Sequence, residues 1–222
     1  MTEARERAVV LLSGGLDSGT SLALWVGRGG TVATCVFADY GQRAAGPERS
    51  ASRRLAERFG ADWREIGLPW LGDASRAAGS ALADEAIELP SGTVERPGDD
   101  ASARAVWVPA RNVVLVAAAA AIAESIGAPW VVAGFNREEA ATFPDNSAAF
   151  VSAFDGVLRL GTRSGVRLVS PTIGLDKRSI VVAARQAGFG PQDFWSCYTA
   201  GPDRCGVCES CVRAQRAFGS SD

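Results

Sequence analysis

The stretch Ala8-Val-Val-Leu-Leu12, continued by Ser13-Gly-Gly-Leu-Asp-Ser18, decides the fold. The first five residues are all apolar, which predicts a buried strand. A turn rich in glycine and serine that opens a helix exposes backbone N–H groups and hydroxyls where the helix dipole favours anions. Residues 13–18 therefore predict a phosphate-binding turn, called the phosphate loop below.

The phosphate loop differs from the two commonest nucleotide-binding turns. A Walker A loop requires a lysine, which is missing here, and the glycines do not have the G-x-G-x-x-G spacing. An ordinary strand-to-helix turn with Ser or Asp as the helix N-cap is the alternative interpretation. The complete six-residue string directly after a first strand favours phosphate binding.

The alternation of strand and helix continues along the chain. Apolar runs predict further strands over residues 31–38, 62–66, 130–133 and 166–170, and helical patterns predict helices over residues 17–27, 48–59, 110–126 and 177–187. This order predicts an α/β fold, a Rossmann-like parallel sheet with helices on both faces. We assign residues 1–190 to this α/β domain and residues 191–222 to a C-terminal region.

Residues 72–105 interrupt the alternation of strands and helices, because they are rich in glycine, proline, serine and acidic residues. They predict a surface insertion or lid between the third strand and the helix that begins near Pro109, with that proline in its first turn. A disordered insertion without a function is the alternative.

The composition excludes several chemistries. The chain has 222 residues, 23 Lys+Arg against 25 Asp+Glu for a net charge of −2, and no histidine. Histidine-dependent triads, His-ligated zinc and an imidazole general base are therefore excluded. The balanced charge argues against a nucleic-acid partner and favours a small-molecule substrate. The longest apolar run, residues 113–123, is too short to cross a membrane, and we expect a cytoplasmic protein.

Lys177 is the only lysine of the chain. It lies at the predicted N-terminus of the helix over residues 177–187, where the positive end of the helix dipole disfavours a cation. A bound polyphosphate would remove that conflict, so we expect Lys177 to contact phosphate groups. An accident of an arginine-rich composition is the alternative.

Four of the five cysteines, Cys197, Cys205, Cys208 and Cys211, crowd together near the C-terminal end. The spacing C-x7-C-x2-C-x2-C lets four thiolates converge on one ion, which predicts a small structural zinc knuckle. An iron–sulfur cluster is the chemical alternative. The fifth, Cys35, lies in the predicted second strand and is expected to be a core residue.

Four motifs, in this order, resemble the 7-cyano-7-deazaguanine (preQ0) synthase family of the ATP-pyrophosphatase (PP-loop) superfamily. They are the phosphate loop, Asp39-Tyr-Gly-Gln-Arg43, Val108-Pro-Ala-Arg-Asn112, and the tail that begins at Trp195-Ser-Cys-Tyr198 and holds the four cysteines. The resemblance implies an ATP-dependent ligase that converts 7-carboxy-7-deazaguanine and ammonia to preQ0, through adenylated acid and amide intermediates, in queuosine or archaeosine biosynthesis. It also implies ATP, Mg²⁺ and Zn²⁺ as cofactors and a homodimer.

The same resemblance implies roles for individual residues. The residues that hold ATP are Leu12, Ser13, Gly14, Gly15, Leu16, Asp17, Ser18, Gly19, Thr20, Phe37, Tyr40, Gln42 and Arg43. The catalytic residues are Lys177, Asp17 and Arg111, with Lys177 on the α-phosphate or pyrophosphate. The residues on the substrate side, which include polar groups for a guanine-like edge and two rings for stacking, are Asn112, Phe135, Asn136, Glu139, Phe143 and Asp145. A solvated loop with a Pro-Asp turn is the alternative for residues 135–147.

The chain departs from the common bacterial pattern of this family at three positions. Asn146 and Ser147 stand where that pattern has Cys and Arg, and Ala44 stands where it has His. A related ligase that stops at the amide or uses another deazaguanine acceptor is therefore one alternative. A tRNA-modifying PP-loop enzyme and a non-catalytic nucleotide sensor are the others.

Overall fold

The computed structural model describes residues 6–91 and 100–219. The first strand, β1 (Arg7–Leu11), carries buried apolar side chains on both of its faces. Ala8 and Val10 belong to one core cluster, and Val9 belongs to a second cluster on the opposite face. Because neighbouring side chains of a strand point to opposite faces, such a strand needs helices above and below it.

The described residues form a five-stranded sheet in which every strand pair is parallel and the order is β3-β2-β1-β4-β5. The other strands are β2 (Thr31–Asp39), β3 (Trp63–Gly67), β4 (Trp130–Val132) and β5 (Arg167–Val169). The chain moves outward from β1 to β3 and then returns to β4 on the other side of β1. Such a reversal opens a crevice at the carboxyl ends of the central strands, and the predicted α/β fold is confirmed.

Helices cover both faces of the sheet. They are α1 (Leu16–Gly27), α2 (Ala45–Arg58), α3 (Pro69–Ala77), α4 (Asp100–Ala105), α5 (Arg111–Ser125), α6 (Arg137–Ala140), α7 (Ala148–Gly161), α8 (Lys177–Gln186) and α9 (Glu209–Gly219). The core on one face takes side chains from α1, α2, α8 and α9, and the core on the other face takes them from α5 and α7. Cys35 is fully buried in the first of these cores, as predicted.

Part of the predicted surface insertion, residues 72–83, packs against the rest of the fold. Residues 69–77 form α3, and Leu82 is buried in an apolar cluster with Leu71, Tyr40 and Val108. Composition missed this packing because one leucine among polar residues does not reveal which distant side chains it contacts. Residues 92–99 lie outside the described residues, and the lid stays a prediction.

The start of α5 also differs from the prediction. The helix begins at Arg111, so Pro109 precedes it and does not occupy the first turn. Ala110 is the N-cap and has the left-handed conformation, with φ at +52°. This conformation is disfavoured for a residue with a Cβ, so backbone strain is placed next to Arg111.

The C-terminal residues pack onto the α/β domain. Phe194 and Ala217 belong to the core cluster under α1, and Glu209 donates its backbone N–H to the Pro90 carbonyl oxygen at 3.3 Å. The division of the chain at residue 190 stays a prediction. Among the described residues, no helix is both long and apolar enough to span a bilayer.

Candidate active site

The phosphate loop joins β1 to α1 and is closed by its own serine hydroxyls. The Oγ atoms of Ser13 and Ser18 share a hydrogen bond at 3.0 Å, and the Ser18 hydroxyl also lies 3.2 Å from the Gly15 carbonyl oxygen, to which it can donate. The first backbone N–H groups of a helix have no partner within that helix. This geometry offers hydroxyls and N–H groups to an anion.

Gly14 makes the turn of the phosphate loop possible. Its φ is +84°, and a Cβ there would lie 2.5 Å from the Glu48 carbonyl oxygen and 2.8 Å from the Ser52 nitrogen. Trp195 donates its backbone N–H to the Gly14 carbonyl oxygen at 2.8 Å. Gly14 is therefore enclosed by α2 and the C-terminal region.

The phosphate loop lines a cleft of about 300 Å³ at the carboxyl ends of the central strands. Most of the site residues predicted from the sequence line this cleft: Leu12, Ser13, Gly15, Leu16, Asp17, Ser18, Phe37, Tyr40, Gln42, Arg111, Asn112, Phe135, Glu139, Phe143 and Lys177. The β-strand topology thus brings together segments that are more than a hundred residues apart in the chain.

Six predicted residues do not line the cleft: Gly14, Gly19, Thr20, Arg43, Asn136 and Asp145. Gly19 faces the Phe194 ring, since a Cβ would lie 2.7 Å from that ring, and Thr20 is fully buried. Arg43 donates to the Ile87 carbonyl oxygen at 3.0 Å and therefore anchors the segment after α3.

Asn136 and Asp145 form hydrogen bonds with other residues of the protein. The Asn136 side-chain oxygen accepts the Glu139 backbone N–H at 2.9 Å and caps α6. The Asp145 carbonyl oxygen accepts a hydrogen bond from the Asn112 side chain at 3.2 Å, and Asp145 is 8% exposed. Both residues therefore help to order residues 135–147, and their contact with a guanine-like edge stays a prediction.

Lys177 is the centre of an ion-pair network in the cleft. Its Nζ lies 2.5 Å from Asp17 Oδ2 and 3.1 Å from Glu139 Oε1, and its backbone N–H donates to Glu138. It is the first residue of α8, as predicted. The carboxylates around it offset the unfavourable helix dipole without any phosphate.

The charges of this network shift each other's pKa values. Burial alone would lower the pKa of Lys177, but the carboxylates of Asp17 and Glu139 outweigh it and hold the pKa above its usual value. Burial opposes ionisation of Glu139, yet Lys177 and Arg213 keep its pKa below the usual value. The cleft therefore holds a permanently charged ammonium group.

In another part of the cleft, Arg111 and Glu48 contact residues of the motif at 39–43. The Arg111 guanidinium forms a hydrogen bond with the Tyr40 side chain. The Gln42 amide donates to Glu48 Oε2 at 3.0 Å. Burial raises the pKa of Glu48 to about 7, against the opposing effects of Gln42 and Arg111.

Aromatic rings form the other side of the cleft. Phe143 is stacked on Trp107, with ring centroids 6.1 Å apart and planes 8° from parallel. Phe135 is 6% exposed and packs edge-on against Phe150 at 5.9 Å. Of the two rings predicted to stack on a base, Phe143 is the more exposed, and Phe135 is mainly part of the core.

Sequence reasoning missed several residues that line the cleft: Glu48, Asn146, Trp195, Ser196, Tyr198, Ser210 and Arg213. Five of them, the last five in this list, lie within two positions of a predicted cysteine ligand, and no role in the cleft was predicted for that part of the chain. One signal was present in the sequence. Glu209 and Arg213 are four residues apart on one helix, the spacing of an ion pair.

The four predicted cysteines form one group, and their sulfur atoms all lie within 4.8 Å of one another. Three of the Sγ–Sγ distances are 3.5, 4.0 and 4.0 Å. A tetrahedral zinc site with Zn–S bonds of about 2.3 Å requires sulfurs about 3.8 Å apart. The Cys205 backbone N–H also lies 3.4 Å from the Cys197 sulfur, which favours a thiolate. The donors therefore fit a metal ion.

Comparison with known proteins gives a consistent result over nearly the whole chain. The family model described as queuosine biosynthesis protein QueC matches residues 7–222. The chain is 45% identical to a 7-cyano-7-deazaguanine synthase from Desulforudis audaxviator, over 95% of this chain and 96% of that protein. It is 43% identical to the synthase of that name from Methanothermobacter thermautotrophicus, over 96% of this chain and 94% of that protein.

Among solved structures, the chain is similar to the U34-tRNA thiolase NcsA from Methanococcus maripaludis. The two are 14% identical, the alignment covers 96% of this chain and 64% of that chain, and the TM-score is 0.49. The curated sequence relatives are far more similar than this.

Proposed function

The chain belongs to the QueC family of queuosine biosynthesis proteins, and from that premise we propose which of its residues carry the family's reaction. Its activity is 7-cyano-7-deazaguanine synthesis, performed by an ATP-dependent ligase. The observation that carries the assignment is that the phosphate loop, Lys177, Arg111 and Glu139 line one cleft. The relatives also favour this reaction over tRNA modification and nucleotide sensing.

In the first half-reaction, the carboxylate of 7-carboxy-7-deazaguanine attacks the α-phosphorus of ATP and pyrophosphate leaves. We assign the leaving pyrophosphate to the Ser13 and Ser18 hydroxyls and the N–H groups at the start of α1. Lys177 and Arg111 stabilise the negative charge that develops on the phosphoryl oxygens. Ammonia then attacks the acyl carbon, loses a proton and expels AMP, which leaves the amide.

In the second half-reaction, the amide oxygen attacks a second ATP molecule and again releases pyrophosphate. The adenylated amide then loses AMP and its nitrogen-bound protons, and the nitrile forms. Positioning and charge stabilisation supply most of the acceleration in such transfers. The absence of histidine is therefore compatible with the reaction.

Mg²⁺ fits the donor set around Asp17. Asp17 Oδ1 is buried and has no hydrogen-bond partner among the described residues. A carboxylate oxygen beside a polyphosphate is the usual protein ligand of this ion, which neutralises phosphate charge when bound. We propose that Asp17 holds the magnesium and that the four cysteines hold a structural zinc.

The identity of the product distinguishes this reaction from the alternative that stops at the amide. One observation favours that alternative. Asn146, which stands where the common bacterial pattern has Cys, lines the cleft. Mass spectrometry after incubation with the acid, ammonia and Mg-ATP should show the nitrile, together with two AMP per product. A product that remains the amide would overturn the second half-reaction. Bound-metal analysis of the same sample should find about one zinc per chain.

The oligomeric state, the location in the cell and the absence of a nucleic-acid contact are also proposals. The homodimer is implied by the family resemblance and is tested by light scattering of the purified protein. The cytoplasmic location follows from a pathway that modifies tRNA nucleosides, and we assign no direct nucleic-acid contact to this enzyme. A salt-dependent gel shift with tRNA would contradict that assignment.

A further inference from the structure

The metal-binding region contributes an arginine to the cleft. Arg213 lies on α9, two residues after Cys211, and its side chain is 14% exposed. Its Nη1 lies 3.4 Å from Glu139 Oε1, and its Nη2 donates to Glu209 Oε1. Arg213 therefore bridges a carboxylate beside the cysteine cluster and a carboxylate beside Lys177.

The same Glu139 oxygen is shared by two cations. Lys177 Nζ lies 3.1 Å from Glu139 Oε1, and that ammonium group is also bound to Asp17. Charges thus alternate from the phosphate loop to α9 through four helices, in the order Asp17, Lys177, Glu139, Arg213 and Glu209. If Arg213 were absent, Glu139 would keep only Lys177 in contact, with Arg111 acting at longer range.

We propose that Arg213 is a positioning residue that neutralises Glu139 and so leaves Lys177 able to exchange Asp17 for the phosphates of ATP. This inference rests on the proposed role of Lys177. Without Arg213, the Glu139 carboxylate would bind the Lys177 ammonium group more tightly. Water solvates this carboxylate poorly, so it is costly to separate it from its one remaining positive partner. Arg213 acts through Glu139 and need not touch ATP.

The test is a double-mutant cycle of Arg213→Ala and Glu139→Gln. Pyrophosphate release measured against ATP concentration gives kcat and KM for the two single variants, the double variant and the unmodified protein. We expect Arg213→Ala to lower kcat/KM for ATP by about tenfold or more. In the Glu139→Gln background the same substitution should have little effect, since the charge that Arg213 neutralises is already gone.

A merely structural role predicts a different pattern. If Arg213 only holds α9 in place, its replacement costs the same in both backgrounds and lowers the bound zinc, and this result would overturn the inference. If Arg213→Ala does not fold, Arg213→Lys replaces it in the cycle, because lysine keeps a cation beside Glu139. Its smaller loss of kcat/KM for ATP should likewise disappear in the Glu139→Gln background. Arg216→Ala on the same helix is the matched control, because Arg216 does not line the cleft.

A separate experiment tests the proposed function independently of this inference. Normal turnover of Lys177→Ala would remove the role of Lys177 and this inference with it. Loss of turnover in Lys177→Ala, together with additive effects of Arg213→Ala and Glu139→Gln, would overturn only the inference.

Discussion

Lys177 Nζ lies 2.5 Å from Asp17 Oδ2, although the two residues are 160 positions apart in the sequence. The contact joins the first residue of α8 to the first turn of α1, inside the phosphate loop. An ammonium group held at the mouth of an anion-binding turn is placed to accept phosphate oxygens as soon as its carboxylate partner yields.

Replacing this ammonium group should affect chemistry more than folding. We expect Lys177→Ala to lower the rate of pyrophosphate release by about 100-fold or more, because charge on the phosphoryl oxygens loses a fixed partner. Pyrophosphate release under saturating ATP measures this. Arg178→Ala, at the next position and outside the cleft lining, is the matched control and should stay near the unmodified rate. Ordinary turnover in Lys177→Ala would exclude the assignment.

Glu48 predicts a pH dependence of stability. Burial raises its pKa to about 7 from the ordinary 4.5. Between those values the folded protein retains a proton that the unfolded chain has lost. The free energy of unfolding therefore decreases as the pH rises from about 4.5 to about 7, and the stabilisation is fully present only below that window.

Glu48→Gln should remove this dependence. Between pH 5 and pH 8, we expect the unmodified protein to lose of order 1–3 kcal/mol more stability than the variant. Urea denaturation at the two pH values measures the difference. Glu57→Gln, which changes an exposed carboxyl on the same helix, is the control and should leave the pH dependence as it is. Identical pH dependence in Glu48→Gln and the unmodified protein would contradict the prediction.

The packing of Gly134, two residues after the end of β4, against the phosphate loop gives a third prediction. A Cβ on Gly134 would lie 2.7 Å from both the Cα and the nitrogen of Ser18. Because backbone atoms cannot move aside as a flexible side chain can, Gly134→Ala must shift the phosphate loop away from the segment that follows β4. We expect the KM for ATP to rise at least about tenfold, since small misplacements of binding groups are costly.

Gly156→Ala is the matched control for this substitution. Nothing lies within 4 Å of a Cβ at Gly156, which is inside α7. Alanine should stabilise that helix by about 0.5–1 kcal/mol and leave the KM for ATP unchanged. Kinetics and thermal unfolding of both variants check the pair; an unchanged KM in Gly134→Ala would show that the loop tolerates the shift.

The sequence was sufficient for the five strands and for α1, α2, α5 and α8, because each of these elements carries its own hydrophobic pattern. It did not predict the helices α3, α4, α6, α7 and α9. Residue type and spacing were also sufficient to predict the phosphate loop and the cysteine cluster, because the members of each lie close together in the chain. The position of Arg43 could not be predicted in this way. Its motif resembles a nucleotide-binding string, yet the guanidinium is occupied by the Ile87 carbonyl oxygen, 44 residues later.

Arg213 is the reverse case, a residue that lines the cleft but was not predicted to do so. The sequence places it in a tail with metal ligands, so a structural role was the natural interpretation. Only the packing of α9 against α8 brings it within reach of Glu139, 74 residues earlier. Long-range ion pairs of this kind are fixed by the tertiary fold, and residue type and spacing alone do not reveal them.

The cysteine cluster leads to the last prediction, which concerns metal removal. Trp195, two residues before Cys197, donates its backbone N–H to the Gly14 carbonyl oxygen, so the C-terminal region that holds the cysteines directly supports the phosphate loop. Cys205→Ser should abolish stoichiometric zinc binding, lower the melting temperature and weaken ATP binding, because the segment that carries Trp195 loses its anchor.

Cys35→Ser is the control for thiol loss and should keep the zinc, since Cys35 lies in β2 and does not belong to the group of four cysteines. Metal analysis, thermal unfolding and ATP titration of both variants distinguish a supporting zinc from a reacting one. A supporting zinc predicts that ATP binding and stability decline together with turnover. Chelation that abolished turnover while folding and ATP binding stayed intact would instead place the metal in the chemistry.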